Sequence, residues 1–300
     1  MDVVTVGTMA LDSIETPFGR VDNALGGSGV FFSLSASYFT RCGIIGVVGE
    51  DFPEEHMRFL SSRGISLDGV EKTSGKTFHW EGAYEYDMNV AKTLKTDLNV
   101  LASFKPKIPL EYKKCRILFL ANIDPDIQLQ VMDKVKPEYC ICDTMNYWIK
   151  GKNESLTEVF SRVDGIIINE EEARQYSKTP NLIKAGRMLR EIGGSKVIIK
   201  KGEHGALYFG DDGFFGMPGF PIENVVDPTG AGDSFAGGCI GHLAKHGELT
   251  DEYFRKSIVL GSVIASFVVE DFSVNGLRKT TNRSIEERYQ AFRKIVSFDH

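Results

Sequence analysis

Short apolar runs alternate along this chain with segments whose apolar residues recur every three or four positions. Val3 to Val6, Ile44 to Val48, Ile117 to Leu120, Tyr139 to Cys142, Ile166 to Ile168 and Val197 to Gly202 read as buried strands. Between them the spacing predicts helices. One opens at Val30, and one follows Asp51-Phe52-Pro53-Glu54, where Asp51 is expected to cap, Pro53 to sit in the first turn and Glu54 to complete a capping box. Met57 and Leu60 form the inner stripe of that helix and Gly64 its stop. Further helices are expected after Asp124-Pro125, from about residue 147 to 163, after Asn169, and over 181–192, 250–269 and 282–296. Repeated strand-helix units with right-handed crossovers make a mainly parallel, doubly wound α/β sheet, folded as a single domain over 1–300.

Residues 76–89 break this rhythm. Phe78, Trp80, Gly82, Tyr84 and Tyr86 occupy every second position, with Thr77, His79, Glu81 and Glu85 between them. Period two means a strand with one aromatic face. Such a face either packs on the core or on a second copy of the chain, or covers a ring-shaped ligand.

A third kind of pattern stands at Asp227-Pro228-Thr229-Gly230-Ala231-Gly232-Asp233-Ser234-Phe235. Phe235, Cys239, Ile240 and Leu243 then recur at helical spacing, with Gly247 where a C-terminal cap is expected, so the small residues open a helix. The first N–H groups of a helix lack internal partners and carry partial positive charge, and small side chains let an anion reach them. An aspartate one residue further would oppose that anion. It reads better as a base beside a phosphate, with Gly230, Ala231 and Gly232 facing the transferring group. A Gly-rich turn with an ordinary helix-start acid is the plainer alternative.

Other candidates sit just beyond strand ends, where ligands of open α/β sheets gather. Asp12 follows the first strand, and Gly26-Gly27 permits close approach of backbone to ligand. Asn169 and Glu172, three apart on a first helical turn, can face one point and suit a hydrated Mg2+, although acids are favoured there by the helix dipole alone. Gly202 and Gly205 mark a hairpin turn, where Lys201 is placed to reach a nucleotide phosphate and His204 reads as solvated.

Composition narrows the field. A formal net charge of −6 supplies no electrostatic reason for a nucleic-acid or anionic-membrane partner. The five cysteines have no metal-ligand spacing, which suits buried thiols in a reducing, cytoplasmic compartment. The apolar stretch from Ile258 to Val269 is too short to span a bilayer, and the N-terminal residues lack a signal pattern. No GxGxxG follows the first strand, against a nicotinamide-dependent oxidoreductase.

Taken in order, Asp12, Gly26-Gly27, Asn169-x-x-Glu172 and the motif from Asp227 to Asp233 closely resemble the ribokinase-like carbohydrate kinase family (PfkB-type sugar and nucleoside kinases) over essentially the whole chain. The resemblance implies a Rossmann-like three-layer α/β/α core with a small β-sheet lid, formed here from about 12–25 and 76–90. It implies ATP-dependent phosphorylation of a sugar hydroxymethyl group, with a nucleoside as the alternative acceptor and a non-catalytic sugar or nucleotide sensor as the alternative from another class. Asp233 would be the general base and Gly230 to Gly232 the anion hole. Asp12, Gly26 and Gly27 would bind the acceptor, and Asn169, Lys201, Gly202, Thr229, Gly230 and Gly232 would line the nucleotide site. Mg2+ would sit at Asn169 and Glu172 through water, and a monovalent cation such as K+ at Asp227 and Thr229. A homodimer through the lid is a further expectation. The chain departs from ribokinase at Phe31 and Phe32, where that enzyme has asparagine, and has no basic residue near Asn146, where kinases of acidic sugars often carry arginine.

Overall fold

The computed structural model describes residues 1–246 and 249–297. The apolar runs become β1 (Val3–Val6), β4 (Cys42–Val48), β8 (Ile117–Leu120), β9 (Tyr139–Cys142), β10 (Gly165–Asn169) and β11 (Lys196–Lys200). With β5 (Ser66–Lys72), β12 (Ala206–Gly210) and β13 (Gly213–Met217) they form a nine-stranded sheet in the order β13-β12-β11-β10-β9-β8-β1-β4-β5. All neighbours are parallel except at β12 and β13, which return as antiparallel hairpins. β5 was not anticipated, because Leu67 and Val70 stand singly among Ser66, Asp68, Gly69, Glu71 and Lys72 and give no apolar run.

The helices are α1 (Ser28–Ala36), α2 (Glu54–Ser62), α3 (Pro125–Met132), α4 (Asn146–Gly151), α5 (Asn153–Arg162), α6 (Glu170–Ser177), α7 (Leu182–Ile192), α8 (Ala231–His246), α9 (Asp251–Val268), α10 (Asn275–Lys279) and α11 (Asn282–Val296). They cover both faces of the sheet. On one face, Val3, Ile117, Phe119, Ile141, Ile167 and Ile198 pack with residues of α1, α8, α9 and α11. On the other, Val4, Leu118, Cys142, Ile166, Ile168 and Ile199 pack with residues of α3, α5, α6 and α7. Successive strand residues therefore serve different layers.

Two local expectations are corrected, and a third is not tested. Asp51 does not cap α2: its Oδ1 accepts from the Thr77 N–H at 2.8 Å and the Thr77 hydroxyl at 2.7 Å, while Pro53 occupies the cap position. The helix expected over 147–163 is two helices, broken at Lys152, whose backbone leaves the helical region (φ −138°, ψ 43°) and whose ammonium is drawn to Asp124 and Asp126. The cap expected at Gly247 lies outside the described residues.

A second sheet, in the order β3-β2-β6-β7, joins β2 (Ala10–Thr16) and β3 (Gly19–Gly26) to β6 (Phe78–Tyr84) and β7 (Ala91–Asp97). It extends past residue 90, because β7 has an exposed, Lys- and Thr-rich sequence without an apolar face. Tyr86 lies beyond β6 and is exposed. All five cysteines are buried and free, and among the described residues no helix is long and apolar enough to cross a membrane.

Candidate active site

Chain order in the large sheet reverses between β1 and β8: β4 and β5 lie to one side of β1, β8 to β11 to the other. Such a reversal leaves a crevice beyond the carboxyl ends of the strands. Ser28 closes its floor, accepting from the Thr8 N–H at 3.1 Å and donating to the Asn122 carbonyl at 2.9 Å.

On one side of the crevice stands Asp12, placed on β2 of the second sheet and not on a loop. Its Oδ1 is buried without a hydrogen-bond partner. A Cβ on Gly26 would overlap Oδ2, and one on Gly27, whose φ is +98°, would press on the Thr8 carbonyl. Gly26 is thus required by the close approach of β3 to Asp12, and Gly27 by its positive φ and the Thr8 backbone against it. Burial, and then the negative charge of Asp227, push the Asp12 carboxyl up to about 8.

The Gly-rich motif forms the opposite wall. Gly230 has φ +77°, and a Cβ there would overlap the Phe31 ring of α1. This explains an aromatic ring at Phe31: it seats the turn. Ala231 donates its N–H to the Pro228 carbonyl at 3.1 Å, and Ser234 donates to Gly230 at 2.9 Å. The N–H groups of Gly230, Gly232 and Asp233 have no acceptor among the described residues. Of the expected trio of Gly230, Ala231 and Gly232, the middle donor is engaged inside the tight first turn and the outer two are free among the described residues.

Asp233, in the first turn of α8, is partly open to the crevice. Burial and the charge of Asp143 push its carboxyl up to about 7, against the pull of Lys200. Neither Asp143 nor Lys200 was anticipated. Asp143 follows β9 and Lys200 ends β11; their side chains are 4% and 14% exposed, and Lys200 Nζ lies 2.7 Å from Asp143 Oδ2. Lys201, the expected nucleotide contact, is not part of this cluster. Its N–H donates to the Gly205 carbonyl at 2.8 Å, closing the hairpin turn in which Gly202 has φ +53°. The signal for Lys200 was strand parity: it shares a face with Ile198, which packs in the layer of Phe235 from α8.

Asn169 and Glu172 come together, but as a reciprocal capping box. Glu172 Oε2 accepts from the Asn169 N–H at 2.9 Å, and Asn169 Oδ1 accepts from the Glu172 N–H at 2.8 Å. One carboxylate oxygen and one amide group remain. Burial, then Asp143, raise the Glu172 carboxyl. A buried carboxylate beside a second one suits a hard cation that keeps its waters, so the donor set fits Mg2+.

Asp227 is fully buried and structural in its visible contacts. Its Oδ1 accepts from the Thr229 N–H and its Oδ2 from the Ser273 N–H, both at 2.9 Å. The Thr229 hydroxyl in turn donates to Tyr84 Oη at 3.2 Å, joining the motif to β6. A second link runs from Asn89 Nδ2 to Glu203 Oε1 at 3.3 Å. The second sheet thus touches both the acidic motif and the β11–β12 turn.

Comparison with known proteins agrees with this geometry. The model of the pfkB family of carbohydrate kinases matches residues 3–280. The chain is 32% identical to a cytidine kinase of Thermococcus kodakarensis over 244 residues, 79% of this chain and 87% of that protein. It is similar in structure to the nucleoside kinase of Methanocaldococcus jannaschii, with TM-score 0.78 and 20% identity over 97% of this chain and 99% of the other. A provisionally assigned ribokinase II of Escherichia coli, in complex with ATP and Mg2+, aligns with TM-score 0.80 and 19% identity over 97% and 99%.

Proposed function

The chain belongs to the pfkB carbohydrate kinase family, and from that premise we propose that it transfers the γ-phosphoryl group of ATP to the hydroxymethyl group of a sugar ring, with Asp233 as the general base. That it is an ATP-dependent kinase, a phosphotransferase acting on an alcohol group, follows from the family. The observation that carries the finer reading is Asp233 itself: a carboxyl pushed up to about 7, partly open, one residue beyond the unpartnered Gly232 N–H.

The acceptor hydroxyl gives its proton to Asp233 as its oxygen bonds the γ-phosphorus. The bond from that phosphorus to the β–γ bridging oxygen breaks, and ADP leaves with the electron pair. The N–H groups of Gly230 and Gly232 stabilise the charge on the transferring group. The unpartnered Asp12 oxygen accepts from another hydroxyl of the ring and so orients it. Mg2+, held at Glu172 and Asn169 through water, would supply neutralisation of the nucleotide phosphates. The second sheet acts as a lid, Tyr84 reporting its position to Thr229. Potassium activation at Asp227 and Thr229, a cytoplasmic setting, and a homodimer through the open edge of β7 belong to the same proposal.

A nucleoside as the bearer of the ring is favoured by one observation, the 32% identity to a cytidine kinase. ATP consumption against a panel of sugars and nucleosides separates the two. Asp233→Asn should lower kcat by about 10²- to 10⁴-fold with ATP binding unchanged. Near-normal turnover would exclude Asp233 as base, and ligand binding without turnover by the wild type would make the protein a sensor.

A further inference from the structure

The ammonium of Lys200 pairs with Asp143 at 2.7 Å and also feels the charges of Glu172 and Asp233. The four come from the end of β9, the first turn of α6, the first turn of α8 and the end of β11. Parity brings them together: Asp143, Asn169 and Lys200 continue the register of Ile141, Ile167 and Ile198, the residues that face α8. Lys200 also pairs directly with Asn169 across the β10–β11 ladder. A Cβ on Gly232 would stand 3.1 Å from Lys200 Nζ, so the ammonium lies under the turn whose N–H groups are free. Gly232 is small for this reason as well as for access from above.

The charge balance shows what such a lysine is for. Even where the raised carboxyls of Glu172 and Asp233 hold their protons, the one ammonium only balances Asp143, and a nucleotide's terminal phosphate adds negative charge at the same place. The backbone donors of the turn carry only partial charge. Lys200 is the full positive charge among the partners of this cluster, and it is tethered on one side only, to Asp143 at 2.7 Å. An ammonium has three donors, so two remain after that contact.

We propose that Lys200 is a catalytic residue that donates a charge-assisted hydrogen bond to the terminal phosphoryl group of the nucleotide from beneath Gly232, with Asp143 holding its ammonium in place. This rests on the reading of the site as a kinase centre. It differs from a plain buried ion pair, in which Lys200 would exist only to neutralise Asp143.

Calorimetric titration with adenosine, ADP and the non-hydrolysable analogue AMP-PNP, in the presence of Mg2+, tests it. For Lys200→Met, AMP-PNP should bind about 10- to 100-fold more weakly, the range of a charge-assisted hydrogen bond, with adenosine and ADP changed little. Asp143→Asn, which keeps the ammonium, should retain AMP-PNP binding within a few fold. Should Lys200→Met fail to fold with Asp143 left unpaired, Lys200→Met with Asp143→Asn removes both charges and must show the same selective loss. Equal losses for all three ligands, no loss for AMP-PNP, or a loss in Asp143→Asn matching that in Lys200→Met would each overturn the assignment. Wild-type protein that binds none of the three would overturn the kinase reading and this role with it.

Discussion

A base whose carboxyl titrates near neutrality makes a measurable demand on the pH profile. As the proposed base, Asp233 must be ionised to accept a proton, and its carboxyl is pushed up to about 7 by burial and Asp143 against the pull of Lys200. The rate should therefore rise with pH and level off above 7. At pH 5 about 1% of the base is ionised, so kcat/KM for the acceptor should stand about 100-fold below its plateau. An aspartate at the ordinary value would lose roughly a tenth or less over the same range. Two variants push the limb in opposite directions. Asp143→Asn removes a negative neighbour and leaves Lys200 unopposed, which moves the limb to lower pH; Lys200→Met moves it to higher pH. A charge within a few ångströms shifts a carboxyl by about one to three pH units. The assay is initial-rate ADP release at saturating ATP and Mg2+, with ADP measured directly, so that neither nucleotide titration nor a coupling enzyme sets the limb. A flat profile down to pH 5, or both variants moving the limb the same way, would refute Asp233 as the titrating base.

Gly230→Ala forces a side chain onto a φ of +77° and into the Phe31 ring, which should cost about 2–5 kcal/mol of stability, read by urea unfolding; Phe31→Ala in the same chain should recover the steric part but not the backbone part. Asp12 at about 8 and Asp233 at about 7 lie above their unfolded values, so the folded state holds protons that the unfolded chain has lost, and stability falls as pH rises towards 8. The Tm of ligand-free protein should accordingly drop from pH 6.5 to 8.5, and Asp12→Asn should flatten the drop while weakening acceptor binding; an unchanged slope would count against the buried, unpaired carboxyl. At fixed ionic strength, KCl should give a higher rate than tetramethylammonium chloride if Asp227 and Thr229 serve a monovalent cation, and equal rates remove that part of the proposal.

Much of this molecule was legible in one dimension, where the information is local. Apolar runs marked six strands of the large sheet because a strand buried on both faces has no polar position to interrupt it. The turn from Asp227 to Asp233 announced itself because left-handed backbone and a helix start require particular residues at fixed spacing. Weak local signals failed: β5 and β7 have no apolar run or face, and their pairing comes from neighbours distant in sequence.

The site divides along the same line. Asp12, Gly26, Gly27, Asn169, Glu172 and Asp233 were singled out as candidates by residue type and position. Which lysine reaches α8 was not, since Lys200 and Lys201 are equivalent as letters and differ by one step of a strand whose side chains alternate between layers. Asp143 is one more acid at a strand end until the β9 register sets it beside Lys200. The Ala231 N–H looks as free as its neighbours until the turn closes on Pro228. Sequence alone determined which chemical groups the chain carries and where the backbone must bend, because those follow from the residue and its near neighbours. Tertiary structure decided which groups meet, and so which carboxyls are raised and which donors stay free, because burial, charge and hydrogen bonding depend on atoms brought together from opposite ends of the chain.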